Sequence, residues 1–193
     1  MKTREQWLND FSKRYAKEFA KHGHPLPPHR ISCGWPSKGA MSKKRRSVGE
    51  CWDKKASAHN VYEIFISPFL QEPIDVASTL LHELIHAAVG NECGHKGAFK
   101  RLALALGLEG PMRSTEPGKL LEERLNTLCK KIGDYPHASI DKTTAKKQGT
   151  RMIKLECVGC GYVVRTTQKW IEVGIPNCCC GEYFTVVIAG EEK

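Results

Sequence analysis

The chain reads as an α+β protein carrying a small cysteine-rich module at its C-terminal end, and three observations predict that class. Residues 73–89 hold apolar side chains at helical spacing between Pro73 and Gly90, which suits a buried helix started by a proline and stopped by a glycine. Short aromatic and β-branched runs before it are punctuated by Gly, Pro and Ser, with no alternation of strand and helix that would build a parallel sheet. Two cysteine knuckles, at 157–160 and 178–180, are separated by further strand-like runs.

From the N-terminus, Thr3 and Gln6 form a capping box for a first helix with Trp7, Phe11, Tyr15 and Phe19 on one side, ending near Gly23 and Pro25. Three strands then follow at Ile31–Trp35, Ser47–Trp52 and Val61–Ile66, expected to pair as an antiparallel sheet beside the 73–89 helix. In that helix Asp75 complements the positive end, and Val76, Leu80, Leu81, Leu84, Ile85 and Ala88 form the apolar surface. Phe99, Leu102, Ala103 and Leu106 predict a helix ending at Gly107, and Leu120, Leu121, Leu125 and Leu128 another ending near Gly133. Residues 141–150 are polar and linker-like, so the expected organisation is a domain over 1–140, a basic linker over 141–150 and a module over 151–193. Within the module, Tyr162–Arg165, Lys169–Val173 and Tyr183–Ile188 read as strands.

The chemistry concentrates in His82-Glu83-Leu84-Ile85-His86. At 3.6 residues per turn, positions four apart share one helix face, so two neutral imidazoles can grip one metal ion. Glu83 lies about 100° round the helix, away from the ligand direction and suited to take a proton from an attacking water. A catalytic zinc needs a third protein ligand and an open position. The metzincin spacing fails, because Val89 and Glu92 stand where Gly and His are required. Glu122 or Glu123 on a later helix would make a gluzincin arrangement, and Cys93 is a weaker option because a thiolate would blunt the Lewis acidity. His95, in Gly94-His95-Lys96-Gly97-Ala98-Phe99, is the favoured third ligand.

These residues resemble the SprT-like metallopeptidases, the group that includes Spartan, in which HExxH is followed by a loop, a His beside Gly and then an aromatic. The resemblance runs over residues 1–137 and implies that His82, His86 and His95 bind a catalytic zinc and that Glu83 is catalytic. In this chain His95 is followed by Lys96-Gly97, where the family's usual order is His then Gly. Many such proteins end in a zinc ribbon, and compact versions resemble those of bacteriophages, which would put this one in the host cytoplasm.

The second knuckle pair supports the same picture. Cys157 and Cys160, with Cys178 and Cys180, make a four-thiolate site that closes every coordination position and so is structural, with Cys179 as the spare thiol. The other reading of these cysteines is a redox pair or unligated thiols. For a module of about 40 residues the metal supplies folding energy that a small core cannot. Nine cysteines, an odd number, four of them scattered singly through 1–150, show no disulfide framework. Together with the lack of an apolar leader or an 18-residue apolar run, this predicts a cytoplasmic protein without a membrane span; the sequence leaves the oligomeric state open, with a monomer the favoured expectation.

The charge of +9 is uneven. Residues 1–60 hold 14 Lys and Arg against 5 Asp and Glu, whereas residues 61–140 hold 8 against 10, so the basic excess lies outside the metal helix. Lys43, Lys44, Arg45 and Arg46 form the densest cluster, and Lys146 and Lys147 lead into the module. Such clusters can neutralise phosphates, and Trp35, Trp52, Tyr162 and Trp170 can stack on unpaired bases; the other reading is that the cations are solvated surface and the aromatics core. The expectation is therefore a zinc endopeptidase that acts on proteins held on DNA. The alternative is a DNA- or polymerase-binding zinc protein with little proteolysis. Tyr135 and His137 are candidates for oxyanion stabilisation, or simply part of a loop turn.

Overall fold

The computed structural model describes residues 2–42, 45–141 and 152–187, which fall into two compact units, residues 1–141 and 142–193. It is an α+β structure, as the sequence predicts. In the first unit, helix α1 (Arg4–Lys21) opens with the capping box: Gln6 N–H donates to Thr3 Oγ1, and Thr3 N–H donates to the Gln6 side chain. Trp7, Phe11, Tyr15 and Phe19 line its buried face, with Trp7 and Phe11 stacked at 6.0 Å and Phe11 and Tyr15 at 5.4 Å. Trp7 Nε1 donates to the Gly133 carbonyl at 2.7 Å, so the one polar atom of this large core side chain is satisfied.

Strands β1 (His29–Cys33), β2 (Gly49–Trp52) and β3 (Tyr62–Ile66) form a sheet in the order β1-β3-β2. The sheet is mixed, a correction to the antiparallel expectation: β2 pairs antiparallel with β3, but β1 runs parallel to it, Ile31 opposite Ile64. The reason is connection length. Residues 53–61 are enough to turn β2 back onto β3, while residues 34–61 form a crossover long enough to bring the chain back beside β1 in the same direction. Tyr62, Ile64 and Ile66 alternate onto the core face, and β2 is left as an edge strand.

Helix α2 (Pro73–Val89) packs against α1, the sheet and two later helices, and its buried surface comprises Val76, Ala77, Leu80, Leu81, Leu84, Ile85 and Ala87. Burial of seven apolar side chains at about 1.5–3 kcal/mol for the larger ones explains why this helix is the rigid centre of the unit. Helix α3 (Ala98–Leu106) ends at Gly107, a hairpin of two two-residue strands follows as β4 (Leu108–Glu109) and β5 (Glu116–Pro117), and α4 (Lys119–Ile132) ends at Gly133. The hairpin has no hydrophobic alternation and leaves no signal in the sequence.

The second unit has a three-stranded antiparallel sheet, β7-β6-β8, built from β6 (Ile153–Cys157), β7 (Val163–Thr166) and β8 (Phe184–Val186). Residues 169–173, expected as a strand, are instead part of a short helix α5 (Gln168–Val173), in which Gln168 donates to Glu172 one turn on at 3.1 Å. A short run with two apolar neighbours fits either period, and the side chains here gain nothing from a strand because Trp170 and Val173 are exposed. Among the described residues the core of this unit is Leu155, Cys157, Cys178 and Phe184, with Ile153, Val164 and Ile171 packed against them. No helix among the described residues is long and apolar enough to cross a membrane.

Candidate metal centres

Helix α2 projects His82 and His86 from one face, and the loop after it returns His95 to meet them. Gly90 stops the helix with a positive φ of 85°, and Gly94, at φ 52° and ψ −126°, takes a conformation that a residue with a Cβ rarely adopts. That turn delivers the next residue, His95, back over α2. His82 Nε2 and His95 Nε2 lie 3.1 Å apart, and His86 Nε2 and His95 Nε2 3.2 Å. Tetrahedral zinc with Zn–N bonds of about 2.0–2.1 Å requires nitrogens roughly 3.3–3.4 Å apart, so three lone pairs converge at the right separation. Phe99, fully buried on α3, packs against all three imidazoles at centroid distances of 4.9, 4.4 and 5.0 Å and fixes their floor.

The protonation states favour a metal. Burial, reinforced by the neighbouring imidazoles, pushes His82 down to about 3 and His86 down to about 4. Burial and then the Arg113 charge lower His95 as well. Neutral rings offer lone pairs at physiological pH. With Nε2 turned to the metal position, His82 Nδ1–H donates to Thr115 Oγ1 at 2.9 Å, fixing tautomer and ring orientation as an outer-shell partner does.

Glu83 is 7% exposed and makes no contribution to the ligand set. Burial first, then Glu50, raises its carboxyl to about 8; a dication held by the triad would draw it back down. The first residue of β2 passes directly over it. A Cβ on Gly49 would stand 2.5 Å from Glu83 Oε1, 2.8 Å from Thr79 Cγ2 and 2.9 Å from Glu83 Cγ. Next to it, Glu50 is tied back by Ser37, whose N–H and Oγ–H donate at 2.7 and 2.6 Å.

The triad and Glu83 open on a cleft of about 1000 Å³ bounded by the edge strand β2, the preceding segment with Lys38, Arg45 and Arg46, and the β4–β5 loop with Arg113, Ser114 and Thr115. Of the basic residues expected to touch nucleic acid, Arg45 and Arg46 therefore sit on the cleft wall, Arg46 stacked over Phe69 at 4.3 Å; Lys43, Lys44, Lys146 and Lys147 lie outside the described residues. The alternative zinc ligands are elsewhere. Glu122 and Glu123 are exposed on α4 outside the convergent group, and Cys93 Sγ is turned to the Gly90 and Gly94 carbonyls at 3.4 and 3.7 Å. The two oxyanion candidates are also misplaced: Tyr135 is buried edge-on to Trp7, and His137 Nε2 contacts the Pro68 carbonyl at 2.8 Å.

In the second unit the structure brings Cys157, Cys160, Cys178 and Cys180 together. Sγ separations of 3.4 Å for Cys157 and Cys180 and 3.5 Å for Cys160 and Cys178 are far longer than a disulfide and near the roughly 3.8 Å edge of a zinc–thiolate tetrahedron. Backbone N–H groups of Cys160 and Gly159 facing its sulfur pull Cys157 down to about 6, which favours the thiolate. Cys179 is exposed and stays outside the cluster. Tyr162, Trp170 and Tyr183 are exposed on the same unit, 57%, 56% and 60% respectively, with Lys169 Nζ 5.3 Å above the Trp170 ring. Tyr183, like Thr115, Gly49 and Arg113 in the cleft, was not indicated by any motif.

The chain thus carries two groups able to hold a metal, one of three imidazoles and one of four thiolates. No family model matches the chain, and no curated protein or solved structure matches it either.

Proposed function

We propose that this protein is a zinc endopeptidase of the SprT-like kind that cleaves proteins held on DNA. The observation that carries the reading is the convergence of three Nε2 atoms beside a buried carboxylate that is not a ligand, all opening on one cleft. A purely structural zinc would be enclosed by a fourth protein ligand and would have no use for Glu83. His82, His86 and His95 would hold the ion, and Cys157, Cys160, Cys178 and Cys180 a second, structural one. When bound at the triad, zinc supplies Lewis acidity to the attacking water and the scissile carbonyl.

Glu83 does the proton work. It accepts a proton from water as the water oxygen bonds the carbonyl carbon, and returns it to the amine nitrogen as the C–N bond breaks, leaving a carboxylic acid and an amine. Its burial matches this task, because a carboxyl raised towards neutrality accepts and releases a proton at little cost. Gly49 leaves it the room to do so.

For the DNA part, the support is electrostatic and aromatic. Lys38, Arg45, Arg46 and Arg113 rim the cleft, and the second unit offers three exposed aromatic rings with Lys169 beside one of them. The same features favour the alternative, a DNA-binding zinc protein with slight proteolysis, and the two readings separate on Glu83. Zinc-loaded wild type should cleave a protein crosslinked to DNA faster than the same protein free. Glu83→Gln should keep its zinc, its fold and its DNA affinity but lose cleavage by at least about 100-fold, the usual worth of a general base. Wild-type protein that binds DNA and zinc but cleaves no better than Glu83→Gln would establish the binding reading instead.

A further inference from the structure

Hydrolysis places negative charge on the scissile carbonyl oxygen, and a site that works well aims a fixed donor at that oxygen in addition to any metal. Neither Tyr135 nor His137 can do this, since both lie away from the cleft. The β4–β5 loop can. Its ends are paired, Leu108 with Pro117 and Glu109 with Glu116, and Ser114 N–H closes a turn onto the Pro111 carbonyl at 2.8 Å. The loop is also pinned to the metal centre itself, by the 2.9 Å contact of Thr115 with His82.

Arg113 stands within that turn, two residues before the pinning point, and lines the cleft with His82, Glu83, His86 and His95. Its guanidinium makes no ion pair or hydrogen bond among the described residues, so its five N–H donors are free. The other cleft cations are placed differently. Arg46 is spent on Phe69, and Lys38 and Arg45 sit on the segment leading into β2.

We propose that Arg113 is a catalytic residue that binds the oxyanion at the scissile carbonyl, making the β4–β5 loop the electrophilic arm of the site opposite Glu83. As the water oxygen bonds the carbonyl carbon, the C=O π pair moves onto oxygen and is met by the guanidinium N–H groups. When the C=O re-forms and the C–N bond breaks, that charge is discharged, and the proton held by Glu83 goes to the amine. Arg suits the role because it remains protonated at any working pH and offers two parallel donors. The assignment rests on the peptidase reading above.

The test uses the full zinc-loaded chain as wild type, Arg113→Ala and Arg113→Lys, with zinc content measured for each. Kinetics are read on a peptide substrate, and affinities on two inhibitors of that peptide sequence: a phosphinate, whose tetrahedral anion mimics the oxyanion, and a hydroxamate, which binds chiefly through the metal. Arg113→Ala should lower kcat by about 100-fold or more with KM within about threefold, the signature of an interaction made only in the transition state. Phosphinate affinity should fall by a similar factor while hydroxamate affinity holds, and Arg113→Lys should recover part of both. Raised KM with intact kcat would make Arg113 a substrate anchor, for instance for a terminal carboxylate, and would overturn the proposal. Equal weakening of both inhibitors, or loss of zinc from both variants, would overturn it too, in the second case by showing that the loop merely supports the metal. If wild type neither cleaves the peptide nor binds the phosphinate, the peptidase reading fails; if it does both and Arg113→Ala behaves identically, only the role of Arg113 fails.

Discussion

Gly49→Ala is the sharpest perturbation this structure offers, because one methyl group reaches Glu83, the proposed general base, without touching a histidine of the triad. The added Cβ would lie 2.8 Å from Thr79 Cγ2 and 2.9 Å from Glu83 Cγ, against an ordinary carbon–carbon contact of about 3.5–4.0 Å. Either β2 lifts or Glu83 retreats by nearly an ångström. Strand β2 is held to β3 by the pairs Gly49 with Ile66 and Cys51 with Ile64, and to the turn that follows α2 by Asn91 Nδ2, which donates to the Cys51 carbonyl at 2.8 Å. The carboxylate, at the end of a side chain, therefore gives way.

Overpacking of this kind costs about 1–3 kcal/mol, offset by roughly 0.4–1 kcal/mol because alanine loses less conformational freedom than glycine on folding. At about 3 °C per kcal/mol the remaining ~0.6–2 kcal/mol should lower the melting temperature of the unit by about 2–6 °C. A base displaced by about 1 Å should cost on the order of 100-fold in kcat. Zinc content by elemental analysis should be unchanged, since His82, His86 and His95 are untouched. Adding Thr79→Ser, which removes one of the two carbon clashes, should restore part of the melting temperature and little of the activity. A Gly49→Ala protein that melts within about 1 °C of wild type and cleaves within about threefold of it would refute the idea that Gly49 is required for the placement of Glu83.

Two further outcomes test the metal and the ionisation of the cleft. Purified protein should contain two zinc ions; His95→Ala should lose the one that chelators remove more readily, because an open coordination position admits a competing ligand, whereas Cys178→Ser should lose the other and Cys179→Ser neither. The metal-free first unit should be most stable near pH 6.5. His82 and His86, depressed from 6.5 to about 3 and 4, contribute stability that is lost as pH falls below 6.5, while Glu83, raised from 4.5 to about 8, contributes stability that is lost as pH rises from 4.5 through 8. Of these three groups only Glu83 acts between pH 6.5 and 8, at up to about 1.4 kcal/mol per pH unit, whereas the depressed Cys157 thiol stabilises the second unit in the opposite sense as pH rises; the melting transition of the first unit should therefore fall with pH in wild type and lose that slope in Glu83→Gln, and equal slopes in the two would show that Glu83 ionises freely in the metal-free fold.

What could be read from the sequence follows the distance over which each feature is determined. The capping box at Thr3, the Pro73 start and Gly90 stop of α2, and the shared face of His82 and His86 are set within one or two turns of chain, and local periodicity exposes them. His95 could be named from its chemistry, but its arrival over α2 depends on Gly94 taking a backbone conformation that other residues rarely adopt, which no count of spacings contains. The parallel pairing of β1 with β3 and the helical state of 169–173 escaped for related reasons: the first is decided by a crossover, the second by which side chains find a core to enter.

The groups that no motif indicated are all contributed from a distance. Thr115 meets His82 across 33 residues of sequence, Gly49 meets Glu83 across 34, and Arg113 joins the cleft only because a two-residue ladder closes its loop. Each sits on a sheet edge or a turn laid against α2, not on α2 itself. The helix fixes which atoms can hold a metal. The segments packed over it set the tautomer of His82, the room around Glu83 and the positive charge in the cleft, so in the proposed peptidase the difference between a zinc-binding helix and an active site is carried by residues whose sequence neighbourhood says nothing of metal. Variants at Gly49, Arg113 and Thr115 should therefore separate catalysis from zinc binding in a way that no histidine variant can.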